Sequence, residues 1–170
     1  MPDAAIALGS NLGDRTRTLN TAIAHIRSLG HVRSVSAFLD TAPVGYLDQP
    51  RFLNAALVLE TTIPPLELLA ALLAIERSMG RKRTGVPPKG PRIIDLDLIF
   101  YGSEVMTTDA LTLPHPAMAE RAFVLIPLAE IARDWLHPIR QKTVAQMLSE
   151  LPVTPPAGAS EWRKSSLEGR

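Results

Sequence analysis

Residues 90–102 read GPRIIDLDLIFYG, a strand with two acids in its middle. From Ile93 onward seven residues are apolar and favour β structure, yet Asp95 and Asp97 interrupt them where burial without a partner is costly. Side chains alternate along a strand, so Ile94, Leu96, Leu98 and Phe100 are expected on one face and Ile93, Asp95, Asp97 and Ile99 on the other. Two carboxylates about 7 Å apart on one face repel, and each raises the other's pKa unless a cation lies beside them. An oxygen-seeking divalent ion such as Mg²⁺ relieves them; so does water, if this face of an antiparallel sheet is left wet.

The segment before the strand, RKRTGVPPKGPR (81–92), is broken by prolines and glycines into a loop that carries Arg81, Lys82, Arg83, Lys89 and Arg92. Cations after a helix C-terminus can simply answer its dipole. Beside paired acids they also suit a polyphosphate, which metal carboxylates and guanidinium donors bind together. Pro64 and Pro65 open a helix through LELLAALLAIERSMG that stops at Gly80. RFLNAALVLETT (51–62) alternates as a strand, with Phe52, Asn54, Ala56 and Val58 on one face and Leu53, Ala55, Leu57 and Leu59 on the other. HVRSVSAFLDT (31–41) reads as one strand leading into the loop APVGYLDQP. Near the start, AAIALGSN is a strand closed by Gly9, and Asp14 caps a helix from Arg15 to Leu29 that Gly30 ends.

The order is β-α-β-β-α-β, which predicts an α+β fold: a ferredoxin-like βαββαβ sandwich in which two helices cover one sheet face and leave the other to ligands. LTLPHPAMAERAFVLIPLAEIA (111–132) adds a loop and short helical pieces, and KTVAQMLSEL (142–151) a last helix. Residues 1–151 are expected to form one domain, and the Pro/Ser/Gly-rich residues 152–170 a mobile tail.

At 170 residues and 46% hydrophobic content the chain suits a single core. A net charge of +1 argues against a broad nucleic-acid surface. The lack of cysteine removes disulfides, thiolate catalysis and Cys-based zinc sites, and with no leader or membrane span in the sequence a soluble cytoplasmic protein is expected. GSNLGD (9–14) lacks the Lys-Ser/Thr ending of a phosphate loop and reads as a tight turn with a helix cap. His115, between prolines and near Arg121, suits a phosphate site or simple exposure equally; Phe52 and Phe123 by hydrophobicity alone are core.

Four motifs together, ALGSNLGDR (7–15), TAPVGYLDQPRFLNAA (41–56), GPRIIDLDLIFYG (90–102) and LPHPAMAERAFVLIPLAEIA (113–132), resemble the 6-hydroxymethyl-7,8-dihydropterin pyrophosphokinases of folate biosynthesis, in unbroken order from Ala5 to Ala132. The resemblance implies a ferredoxin-like enzyme that moves the β,γ-diphosphate of ATP to the hydroxymethyl group of its pterin and releases AMP. It makes residues 1–151 the catalytic domain. Asp95 and Asp97 match the pair that holds two Mg²⁺ ions bound with ATP, and Arg81, Arg83 and Arg92 join them as catalytic groups. Arg81, Arg83, Arg92, His115 and Arg121 match the cationic contributors on the nucleotide, with Glu76, Leu98 and Thr112 on the same side. Phe52 and Phe123 match aromatics that sandwich the pterin, Asn54 the amide at its edge, and Thr41, Pro43 and Val44 its loop; Asp95 also borders that pocket.

Some members carry Trp where this chain has Lys89 and Tyr where it has Pro116, and Pro87-Pro88 stiffens the loop, which bears on loop closure. A stand-alone, monomeric enzyme is the expectation. A palm-like nucleotidyltransferase or cyclase, and a ligand-binding regulatory domain, are the rival readings.

Overall fold

The computed structural model describes residues 1–44, 46–81, 90–152 and the backbone of 163–165. Along the chain come β1 (Asp3–Ser10), α1 (Arg15–Ile26) continued by a 3₁₀ turn (Arg27–Leu29), β2 (His31–Val35), β3 (Phe38–Thr41), β4 (Phe52–Glu60) and α2 (Pro65–Ser78). They are followed by β5 (Asp95–Tyr101), the short β6 (Met106–Thr107) and β7 (Thr112–Leu113), a 3₁₀ turn (Met118–Glu120), α3 (Ala122–Ala132), α4 (Val144–Ser149) and β8 (Arg163–Ser165). The main sheet runs β5-β1-β4-β3-β8, with β2 also on β4, and its described pairings are antiparallel. β6 and β7 form a separate ribbon. Arg163–Ser165 of the tail lie along β3; the rest of 153–170 is outside the described residues.

Local chemistry accounts for the element ends. The Asp14 carboxylate accepts the Arg17 N–H at 3.1 Å to start α1, and Leu19, Ala22, Ile23 and Ile26 form its buried stripe. Pro64 and Pro65 begin α2, and Gly80, at φ +90°, turns the chain away after it in a conformation that favours glycine. Thr143 and Gln146 close a reciprocal capping box on α4.

Where a single strand is expected over 31–41, the chain makes two. Ser36 and Ala37 leave the ladder: the Ser36 hydroxyl accepts the Ala56 N–H at 2.9 Å, and the Ala37 N–H donates to Glu130 of α3 at 3.0 Å. The expected alternation of β5 also breaks. Ile6 pairs with Leu98 and Ala5 with Phe100, so Ile99 is an extra residue, and a one-residue slip exchanges the faces beyond it. Phe100 therefore joins the Ala5 side and stacks on Trp135 at 5.1 Å, while Tyr101 turns to the opposite core and donates its hydroxyl to the Ile63 carbonyl at 2.6 Å.

Two cores result. Ile6, Leu8, Leu53, Leu57, Leu59, Leu96 and Leu98 pack with the apolar stripes of α1 and α2. On the other face Ala5, Ala7, Ala56 and Phe100 meet Val124, Leu125 and Leu128 of α3 and Val144 and Met147 of α4. The second face is thus not wholly free, as the two-helix expectation had it: small alanines admit α3 and α4 over one part, and a cleft occupies the rest. Among the described residues no helix is long and apolar enough to cross a membrane.

Candidate active site

The cleft is lined by Ala7, Leu8 and Gly9 of β1, Thr41, Ala42 and Val44 after β3, Phe52 and Asn54 of β4, Arg92, Asp95 and Asp97, and Arg121, Phe123 and Val124 at the start of α3. Strand register explains how it forms. Gly9 pairs with Asn54 on one side and with Asp95 on the other, so an amide and a carboxylate share one cross-strand row with a glycine between them. Two strand spacings separate the outer residues by about 10 Å. A Cβ on Gly9 would stand 3.0 Å from Asn54 Oδ1 and 3.8 Å from Phe52 Cδ1, so glycine keeps the floor of the cleft open.

At the acidic end of the row both oxygens of Asp95 hold guanidinium groups: Oδ1 accepts from Arg81 Nη1 at 2.7 Å and Oδ2 from Arg92 Nη1 at 3.0 Å. Glu76, 2% exposed on α2, anchors Arg81 from behind at 2.8 Å and accepts the Leu96 N–H at 2.7 Å. Burial tends to lower the Arg81 pKa, but Asp95 and Glu76 outweigh it and hold that pKa above its ordinary value. Burial, and next the Asp95 charge, push the Asp97 carboxyl up to about 7, against the opposing pull of Arg121 and Arg81.

Such a pair fits a hard divalent cation, whose charge would favour the ionised form of Asp97. Among the described residues no three His, Cys, Asp or Glu side chains gather to hold a metal. An ion bound at Asp95 and Asp97 therefore needs further oxygens from water or a ligand phosphate, the usual coordination of Mg²⁺.

At the apolar end Phe52 and Phe123 are only half-buried and line the cleft, and Phe123 also packs against the margin of the core under α3 and α4. Each carries an arginine: the Arg92 guanidinium lies 5.7 Å from the Phe52 ring centre and that of Arg121 5.6 Å from Phe123. Asn54, 6% exposed, donates from Nδ2 to the buried Thr41 hydroxyl at 2.6 Å, which fixes the direction of its amide.

The other expected residues fall less uniformly. His115 is held by its N–H on the Ile99 carbonyl at 2.9 Å, and its Nδ1 accepts the Ala117 N–H at 3.2 Å. Burial and then Arg121 lower its pKa, and with Nδ1 accepting from Ala117 the ring is left with Nε2 as a donor facing away from that turn. The Leu98 side chain turns into the core beneath α1 and α2, away from Asp97. Thr112 sits in the β6–β7 ribbon and, like Pro43, is not among the lining residues. Pro116 is exposed, and Arg83, Lys82, Pro87, Pro88 and Lys89 lie outside the described residues.

Sequence reasoning missed Gly9 as a floor residue, although its place at the end of an apolar strand was a signal, and missed Asn11, discussed below.

Residues 5–133 match the family described as 7,8-dihydro-6-hydroxymethylpterin-pyrophosphokinase. A 2-amino-4-hydroxy-6-hydroxymethyldihydropteridine pyrophosphokinase of Bacillus subtilis is 46% identical over 133 residues, covering 77% of this chain and 78% of that protein. The folic acid synthesis protein fol1 of Schizosaccharomyces pombe is 39% identical over 151 residues, 88% of this chain but 20% of that protein. The chain thus spans about a fifth of that larger relative. Among solved structures, the HPPK-DHPS of Plasmodium falciparum with pteroate matches at a TM-score of 0.70 and 15% identity, over 88% of this chain and 42% of that one, a likeness of fold. By sequence, this chain belongs to the 7,8-dihydro-6-hydroxymethylpterin-pyrophosphokinase family.

Proposed function

We propose that this chain transfers the β,γ-diphosphate of ATP to the hydroxymethyl group of 6-hydroxymethyl-7,8-dihydropterin in a Mg²⁺-dependent step of folate synthesis. The observation that carries this reading is the row Asp95–Gly9–Asn54, which sets a carboxylate pair with its arginines at one end of a cleft and an amide at the other, in a cleft that Phe52 and Phe123 also line. The sheet order β5-β1-β4-β3, with α1 and α2 on one face, supports reading the scaffold as ferredoxin-like.

In this reading Phe52 and Phe123 stack on the flat pterin and Asn54 meets its edge, where an amide can both donate and accept. Asp95 and Asp97 would hold Mg²⁺, which when bound would supply charge neutralisation at phosphate oxygens. Arg92 and Arg121 reach the phosphates from the same cleft, and an incoming polyphosphate offers Arg81 and Arg92 an anion in exchange for Asp95. His115 adds a donor through Nε2. The pterin hydroxyl oxygen attacks Pβ, the bond from Pβ to the α,β-bridging oxygen breaks, AMP departs, and the hydroxyl proton passes to solvent. Guanidinium groups held in place before the charge develops are what lowers the barrier.

Product analysis tests the proposal. The protein is incubated with ATP, Mg²⁺ and 6-hydroxymethyl-7,8-dihydropterin, and the products are separated. AMP and a pterin diphosphate in equal amounts are expected. Free pyrophosphate, as a nucleotidyltransferase or cyclase releases, or ADP with a pterin monophosphate, would overturn it.

A further inference from the structure

In the segment GSNLGD (9–14), Gly9 floors the cleft and Asp14 caps α1, while Asn11 does neither. It follows β1 directly and is 2% exposed. Its Oδ1 accepts the Arg92 N–H at 2.9 Å, and its own N–H donates to the Arg92 carbonyl at 3.2 Å. Its Nδ2 donates to Gln49 Oε1 at 2.8 Å and to the Pro50 carbonyl at 3.0 Å. One amide therefore joins two distant segments: the one that presents Arg92 to Asp95, and the one that leads two residues later into Phe52.

We infer that Asn11 is a positioning residue that sets the phosphate-side arginine and the pterin-side loop from a single buried amide. The inference rests on the function proposed above for the two ends of the cleft. Only an amide side chain can accept from Arg92 at one atom and donate twice at the other, so the two arms can be cut separately. Asn11→Asp keeps an acceptor for the Arg92 N–H but has no hydrogen for the Pro50 carbonyl, which cannot turn into a donor. Gln49→Leu removes an acceptor on the same arm from a partly exposed position, together with the Gln49 Nε2 donation to the Tyr46 carbonyl, and leaves Asn11 intact. Asn11→Ala cuts both arms.

The test is calorimetric titration of the full chain with 6-hydroxymethylpterin and, separately, with the Mg²⁺ complex of α,β-methylene-ATP, alongside melting curves. In Asn11→Asp pterin affinity is expected to fall by about tenfold or more, since a buried carbonyl loses its donor. Its affinity for the nucleotide analogue should stay within about threefold, and Gln49→Leu should repeat this split while Asn11→Ala weakens both ligands. A purely structural Asn11 gives another pattern: lower melting temperatures with both affinities per folded molecule unchanged. That pattern, or equal loss of both ligands in Asn11→Asp, overturns the inference. If Asn11→Asp does not fold, Gln49→Leu decides on the same terms. Wild-type protein that binds neither ligand refutes the proposed function and this inference with it; wild-type protein that binds both, with no split in the variants, refutes the inference alone.

Discussion

Ile6, Leu8, Leu53 and Leu57 reach from the sheet toward α1 and α2, whereas their strand neighbours Ala7, Gly9, Asn54 and Ala56 reach the other way, toward α3 and the cleft. The same two strands thus carry two unlike surfaces. One is filled with large side chains. The other is made of alanine, glycine and polar residues, so α3 packs closely over one end and leaves the rest open between Phe52, Phe123 and the two acids. Alternation lets one sheet separate stability from chemistry, residue by residue.

The comparison breaks most visibly if the acids prove replaceable. Asp97→Ala should cut turnover by about 10³-fold or more while leaving the far-UV spectrum of a folded protein, because metal-based charge stabilisation accounts for several kcal/mol. Near-normal turnover at ordinary Mg²⁺ would remove Asp97 from the site. Next in size, Arg92→Ala should slow turnover by about 10²-fold with pterin affinity in the absence of nucleotide nearly unchanged. A defect mainly in pterin binding would mean that its role is misassigned.

A matched pair sharpens the contrast of the faces. Phe123→Ala should weaken pterin binding by about tenfold or more, from lost stacking and burial, with a small change in melting temperature. Leu57→Ala, on the opposite face, should lower stability by about 2–5 kcal/mol through the cavity it leaves, with pterin affinity per folded molecule unchanged. Exchange of these two outcomes would return Phe123 to the core.

The smallest effect concerns pH. The Asp97 carboxyl titrates near 7 in the folded chain against an ordinary 3.8, so the fold favours its protonated form. That contribution is fully present below about pH 4 and is lost as pH rises through about 7. Without metal, Asp97→Asn should melt about 5 °C above wild type at pH 8, after a discount for its partial exposure, and the gap should close toward pH 4. A gap that is constant with pH would mean Asp97 is not held protonated by its surroundings.

Much of this arrangement was legible locally. The alternation of RFLNAALVLE put Phe52 and Asn54 on one face, and the two acids shared theirs by the same rule. Caps and prolines bounded α1 and α2 to within a few residues. What stayed hidden depends on partners far along the chain. The extra residue at Ile99 is set by the ladder with β1, in a run where every residue favours a strand. The break at Ser36 and Ala37 needs Glu130, and the joint at Asn11 needs Arg92 and Pro50. The lowered pKa of His115 comes from burial and from Arg121, neither readable from a histidine between prolines.

The open face as the seat of the pterin is tested most directly by nuclear Overhauser contacts in the complex with 6-hydroxymethylpterin and the Mg²⁺ complex of α,β-methylene-ATP. Contacts from the pterin methylene protons to the ring protons of both Phe52 and Phe123, with none to Leu53 or Leu57, are the expected result. Contacts to the α1 and α2 side, or to neither phenylalanine, would contradict it.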